Sequence, residues 1–178
     1  MKVFLFIILV FLVGCDSEKI KPTISMDASE ERIADYESWG TEVIFSELGD
    51  IQAILFTDHL RKYDSEKTTY LQGVKIDFYD EEGNPSTKLT SLKGRVDDIT
   101  KNMFAIDSVV VKSDSGIVLE TNQLTWQNKI RRITTDEFVT ITSPDERIEG
   151  YGFESDQSLK NYKIYKITYS ATVTDTLN

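Results

Sequence analysis

From about Val43 onward the chain alternates apolar and polar residues with the period of a strand, and no helical pattern longer than three turns follows Ser38. A segment whose side chains change face at every residue can bury one face in a sheet but cannot bury a stripe on a helix. Val74-Lys75-Ile76-Asp77-Phe78 is the clearest case, with apolar side chains on one face and charges on the other. Val109-Val110-Val111, Ile117-Val118-Leu119 and Phe138-Val139-Thr140-Ile141 are short runs rich in β-branched residues. Between the runs stand Glu82-Gly83-Asn84-Pro85, Ser113-Asp114-Ser115-Gly116 and Ser143-Pro144-Asp145, residue types that close hairpins. Upstream, Glu30 to Ser38 reads as one or two helical turns with Ile33, Ala34 and Tyr36 as apolar positions, too short to hold alone.

The strands also repeat. Ala105 to Val111 lines up with Thr135 to Ile141, and each is followed by a serine-containing turn and a returning strand. Leu71 to Ile76, with a turn at Gly83 and a return at Lys88-Leu89-Thr90, is an earlier copy. Thr57-Asp58 to Tyr63, Ser91-Leu92 to Val96 and Thr121-Asn122 to Trp126 share one phase. Each unit reads as a strand, a hairpin turn, a returning strand, a corner and a further strand. Stacked units of this kind predict an all-β chain whose sheet folds over on itself. By parity the inward set is Val74, Ile76, Phe78, Val109, Val111, Leu119, Leu124, Trp126, Val139, Ile141, Ile148 and Phe153. Gly150 and Gly152 flank Tyr151 and mark a bend or bulge.

The N-terminus follows a different plan. Met1-Lys2, an apolar run from Val3 to Val13, then Gly14-Cys15 make a secretory signal of residues 1–14. The run falls short of the about 20 residues a helix needs to span hydrocarbon. Leu12-Val13-Gly14-Cys15 resembles the lipobox of bacterial lipoproteins, which implies cleavage before Cys15, lipidation of its thiol and a membrane anchor. Cys15 is the single cysteine, so no disulfide, thiolate nucleophile or cysteine metal site is expected in the mature chain. Residues 15–42 then hold the lipidated cysteine, a polar tether and the short helical segment, and 43–178 the β domain. With 30 Asp and Glu against 20 Lys and Arg, the chain lacks the basic balance that nucleic-acid binding requires.

No constellation for catalysis stands out, and neither enzymatic activity nor a cofactor is expected. His59 is the single histidine and has no cysteine to share a zinc ion with. Asp80-Glu81-Glu82-Gly83-Asn84 lacks the spacing of a calcium loop and reads as a solvated turn. Asp97 and Asp98 are strand neighbours whose side chains point to opposite faces. Two basic clusters interrupt the acidic background: Lys129-Ile130-Arg131-Arg132, and Lys160 to Lys166. The last strand, about Tyr162 to Thr172, carries Tyr165, Ile167 and Tyr169 and has no later unit to pair with. It is expected to be an open edge shielded by Lys160, Lys163 and Lys166.

Val139-Thr-Ile141 followed by Arg147-Ile148-Glu149-Gly150-Tyr151-Gly152-Phe153-Glu154-Ser155-Asp156 resembles a phrase of the LptC family. Ile117 to Trp126 resembles the stretch that precedes it there, and the likeness runs from about Ile51 to Val173. The resemblance implies a twisted, V-shaped antiparallel β-jelly roll that accepts lipopolysaccharide from inner-membrane transporter subunits. It implies passage to an LptA-like periplasmic bridge protein by strand addition at the C-terminal edge. On this reading the inward set lines a groove for lipid A acyl chains, and Lys129, Arg131 and Arg132 meet its phosphates. The family's usual transmembrane helix is replaced here by the lipobox, which points to a lipoprotein on the periplasmic face of the inner membrane, with the outer membrane as alternative. Two rival readings stay open: an OstA-like bridge protein, and a surface-exposed β-sandwich lipoprotein that binds glycan or another extracellular ligand.

Overall fold

The computed structural model describes residues 33–172, apart from Glu81. Nine strands follow one another: β1 Tyr36–Glu47, β2 Asp50–Tyr63, β3 Thr68–Tyr79, β4 Pro85–Asp97, β5 Met103–Ser113, β6 Val118–Gln127, β7 Arg132–Thr142, β8 Glu146–Ser155 and β9 Tyr162–Thr172. They form a single open sheet in sequence order, every neighbouring pair antiparallel, and no helix occurs among the described residues. This is the all-β folded sheet that the alternation and the repeats predict.

The corners lie elsewhere than expected. The repeats read as short strands joined by corners, but the corner is inside each strand. Ile106 and Val109 bracket a break in β5, where Asp107 and Ser108 both adopt left-handed backbone, with φ of 69° and 53°. Thr121/Thr125 in β6, Thr135/Phe138 in β7 and Glu149/Gly150 in β8 break register at the same level. On the N-terminal side Gly40 and Gly73 carry left-handed φ of 57° and 63° on either side of Asp58. A side chain at Gly73 would collide with the Asp58 carboxylate, its Cβ 1.9 Å from Oδ2. These irregularities form one crease across all nine strands.

Buried hydroxyls support the crease. Thr57, Ser91, Thr121 and Thr135 are all buried there. Thr57 Oγ1 donates to the Gln72 carbonyl at 2.7 Å, Ser91 Oγ to the Lys93 carbonyl at 2.9 Å, and Thr121 Oγ1 to the Phe138 carbonyl at 2.9 Å. Thr135 Oγ1 accepts the Glu137 N–H at 3.1 Å. Each hydroxyl satisfies a backbone group that a register break would otherwise leave unpaired away from water. The phase shared by Thr57-Asp58, Ser91-Leu92 and Thr121-Asn122 in the sequence is the phase of this fold line, and Thr135 joins it in the structure.

The sheet begins earlier than Val43. Tyr36 pairs with Lys62 and the Asp35 N–H donates to the Lys62 carbonyl at 2.9 Å, so Tyr36–Ser38 is strand and not helix. Pairing to β2 outweighs a local preference too weak to hold one or two turns. Residues 30–32 of that expected helix, the signal peptide, Cys15 and the tether to Glu31 lie outside the described residues.

Folding at the crease makes two layers. The turn-side ends of β1–β4 lie over the opposite ends of β5–β9: Glu47 of the β1–β2 turn pairs with Arg131 of the β6–β7 turn, and Thr87 Oγ1 in β4 donates to the Gln157 carbonyl after β8 at 3.1 Å. The core fills the space between the layers in one cluster.

Candidate functional site

Eleven of the twelve inward positions share one interior, but they do not line one open groove. Val109, Val111, Leu119, Val139, Ile141 and Phe153 are at most 1% exposed. In this C-terminal half the layers meet completely. The Phe153 ring stacks on Tyr162 at 6.0 Å, and Leu159 from the β8–β9 loop is fully buried beside the same core. Ile148 is also buried, outside the main cluster. Separating these layers would expose at least five large side chains, at about 1.5–3 kcal/mol each. That is about 8–15 kcal/mol, the entire stability of an ordinary domain. In the structure this half is closed.

Asp156, the last residue of the family-like phrase, holds the Leu159 plug. Its Oδ1 accepts the Lys160 N–H at 3.1 Å and the Ser158 hydroxyl at 3.0 Å, and its Oδ2 accepts the Asn161 amide at 2.6 Å. Burial acts to raise the Asp156 carboxyl, and the hydrogen bonds from Asn161, Ser158 and the loop backbone outweigh it, leaving the group below its ordinary range. The loop these bonds form places Leu159 in left-handed backbone, φ 58°, with its side chain inward.

The N-terminal half is built differently. Val74, Ile76, Phe78, Leu124 and Trp126 from the inward set, joined by Leu55, Leu71, Leu89, Met103, Ala105 and Ile133, surround an apolar slit of about 30 Å³. That is roughly the share of liquid volume of one water molecule. Phe78, Met103 and Trp126 also line a wider mouth of about 410 Å³, with Phe45, Ala53, Gln52 and Gln157 around it and the Glu47–Arg131 pair at its rim. Phe45 is on the edge strand β1 and is over a third exposed, so this end of the interior meets solvent through an aromatic side chain. Sequence parity identified the floor of the slit but not the mouth. Phe45 has few neighbours in the sequence pattern, and Met103 starts its strand after a polar turn.

The three basic residues are not one patch. Lys129 stands in the β6–β7 turn, Arg131 turns to Glu47 at the mouth, and Arg132 Nε donates to Glu154 Oε1 at 3.0 Å on the outer face. His59 Nε2 lies 2.6 Å from Glu37 Oε1 while its ring stacks on Trp39 at 5.0 Å. Among the described residues no cluster of histidine and acidic side chains could hold a metal ion. Asp80 caps its own hairpin turn, Asp97 accepts the N–H groups of Ile99 and Thr100, and Asp98 accepts the Thr69 hydroxyl.

At the far edge β9 pairs with β8 alone among the described residues, which leaves its other side without a described strand. Tyr165, Ile167 and Tyr169 are each at least half exposed along it. Lys163 lies over the Tyr165 ring at 4.6 Å, and Tyr165 donates its hydroxyl to Glu154 Oε2 at 2.7 Å.

A folded nine-strand sheet with an apolar interior, a plugged end and an open mouth is the setting for the comparison with known families. The family model described as lipopolysaccharide-assembly, LptC-related matches residues 3–169. The chain belongs to the LptC family. The match reaches well beyond the motifs in β6–β8 and includes the apolar N-terminal run. As a member of the LptC family, the protein is a component of lipopolysaccharide transport on the periplasmic side of the cell envelope. No curated protein matches the chain.

Proposed function

We propose that this LptC-family protein, tethered to the membrane through lipidated Cys15, takes lipid A acyl chains into the N-terminal half of its interior and passes lipopolysaccharide onward along its β9 edge. The observation that carries the reading is the asymmetry of the interior. One half is sealed by Phe153, Leu159 and Tyr162; the other keeps an apolar slit continuous with a mouth at Phe45, Met103 and Trp126. A slit the size of one water molecule cannot take an acyl chain as it stands. Loading requires the β1–β2 hairpin to swing away from the β6–β7 turn, breaking the exposed Glu47–Arg131 pair, which is worth at most about 1 kcal/mol. A buried acyl chain returns about 0.8 kcal/mol per CH₂, so a few methylenes offset the loss. Arg131, released from Glu47, is then free to meet a lipid A phosphate at the mouth.

Site-specific photo-crosslinking tests this. Probes at Phe45 and Met103 should capture lipopolysaccharide, and a probe at Lys112 on the outer face should not. Equal capture from Lys112, or none from the mouth, overturns the reading. For onward transfer, proline is placed at Lys166 and at Ile167 in separate variants. Successive backbone N–H groups point to opposite edges of a strand, so one of the two removes an outward donor. That variant should lose capture of an LptA-like bridge protein while keeping its cooperative melt. Unchanged capture by both places the handover surface elsewhere.

A further inference from the structure

We propose that the outer face of β2–β5 carries a second binding groove, for a phosphorylated sugar. It opens on the face of the sheet opposite the interior, with Leu71, Gly94 and Arg95 bordering both.

The groove is a depression of about 370 Å³ whose walls include His59, Arg61, Tyr70, Lys93, Arg95 and Ile106. Strand register explains its construction. Arg61, Tyr70, Arg95 and Phe104 are successive cross-strand partners, and His59, Gln72, Lys93 and Ile106 form the next such row. Leu60, Leu71, Gly94 and Ala105 between the rows are buried toward the core, so the rows face outward, although Arg95 and Phe104 also border the interior slit. The chain has a net charge of −10, yet this face presents three cations within two rows.

The walls are held in place, which is unusual for a solvated sheet face. The Arg95 guanidinium carbon lies over the Phe104 ring, 4.1 Å from its centroid, a cation–π contact. Tyr70 is fixed by its hydroxyl on Glu66 Oε2 at 3.1 Å and by edge contact with Tyr63. His59 is fixed between Trp39 and Glu37. Lys93 is 3.7 Å from Asp107 at the crease. Arg61 and Arg95 form no ion pair with any described residue. Glu37 is the register partner of Arg61, but its Oε1 is turned to His59.

Two arginines without an ion pair, on strands roughly 10 Å apart with one strand between them, thus flank an aromatic ring whose orientation is set, Arg95 resting on Phe104 and near Asp97. Guanidinium forks match phosphate oxygens in pairs, and the tyrosine ring between them offers an apolar face against which a sugar ring can lie. Pre-set side chains lower the ordering cost of binding. An acidic peptide would meet Glu37, Glu66 and Asp107 around the rim, whereas a single phosphate on a neutral ring fits between them.

The probe is the phosphorylated oligosaccharide left after complete deacylation of lipopolysaccharide, which has no acyl chain to enter the interior. Titration calorimetry with the full chain should show binding that falls about tenfold in Arg61→Gln and further in Arg61→Gln/Arg95→Gln. Phosphatase treatment of the oligosaccharide should weaken binding to wild type by a similar factor. Arg61→Gln breaks no ion pair among the described residues, and a cooperative urea melt matching wild type checks its fold. Capture of intact lipopolysaccharide by the Phe45 crosslinker should be unchanged in Arg61→Gln, which separates this groove from the interior. Binding that survives in both variants, or that ignores the phosphate, or that is absent in wild type, overturns the proposal.

Discussion

Replacing Gly150 with alanine tests whether the Gly-Tyr-Gly phrase in β8 exists to let β9 approach. A Cβ at Gly150 would stand 2.4 Å from the Lys166 carbonyl oxygen, 2.8 Å from Ile164 Cγ2 and 3.0 Å from Ile167 Cα. Two of these atoms are backbone of β9, so no side-chain rotation relieves the contact. A carbon meets a carbonyl oxygen comfortably at about 3.3 Å, so β9 must retreat by roughly 1 Å. That stretches ladder hydrogen bonds from about 2.9 Å beyond their useful range. Overpacking costs about 1–3 kcal/mol and each weakened ladder bond about 1 kcal/mol, giving a loss of about 2–4 kcal/mol. Gly83→Ala is the control: its φ of 82° is left-handed but nothing lies within 4 Å of the new Cβ, so only the backbone cost of about 1–2 kcal/mol applies. Urea denaturation gives both values, and amide hydrogen exchange locates them. In Gly150→Ala the β9 amides should lose protection selectively, whereas Gly83→Ala should leave them as they are. A Gly150→Ala variant within 0.5 kcal/mol of wild type, with β9 still protected, refutes the close-approach argument.

Phe153→Ala should cost about 3–5 kcal/mol in urea denaturation, because the ring is 1% exposed in the sealed half; Phe45→Ala at the mouth should cost under about 1 kcal/mol. Asp156→Asn should destabilise by about 1 kcal/mol at neutral pH. The Asp156 carboxyl is depressed in the fold, so its contribution is present above the ordinary aspartate range and lost as pH falls below it. The gap to wild type should therefore narrow as pH falls below the ordinary aspartate range, and a constant gap would assign the loop to packing alone. Thr121→Val removes the hydroxyl on the Phe138 carbonyl and should cost about 1–2 kcal/mol, with exchange of amides near the crease rising first. Cys15→Ser should leave the protein unprocessed or released on membrane fractionation; full retention in the membrane would refute the anchor.

The alternation in Val74–Phe78 and Phe138–Ile141 sufficed to place strands and their inward faces, because each such strand has one buried side. β1 escaped detection at Tyr36 because its polarity is inverted there: the half-buried inward positions are Ser38 and Thr41, while Trp39 and Ile44 on the outer face are exposed, so no apolar alternation marks it. The Thr-Asp and Thr-Asn pairs were legible as a repeat but not as a fold line. A buried threonine looks like a turn residue until its hydroxyl is seen to serve a carbonyl on the next strand. The mouth depends on Glu47 and Arg131, which are 84 residues apart, and no local pattern announces such a pair. Leu159 is a lone apolar residue in a polar loop; the spacing of Asp156 from Ser158 and Asn161 was its one clue.

The crease also constrains any strand that joins the sheet from outside. At β8 and β9 the irregularity lies between Glu149 and Gly150, opposite Ile167 to Tyr169. A tenth strand laid along β9 meets a sheet that changes direction at that level. An incoming strand without its own break there must flatten the seam or forfeit pairing on one side of it. The fold line thus acts as a vernier: it sets the longitudinal offset at which an added strand could pair along the whole of β9.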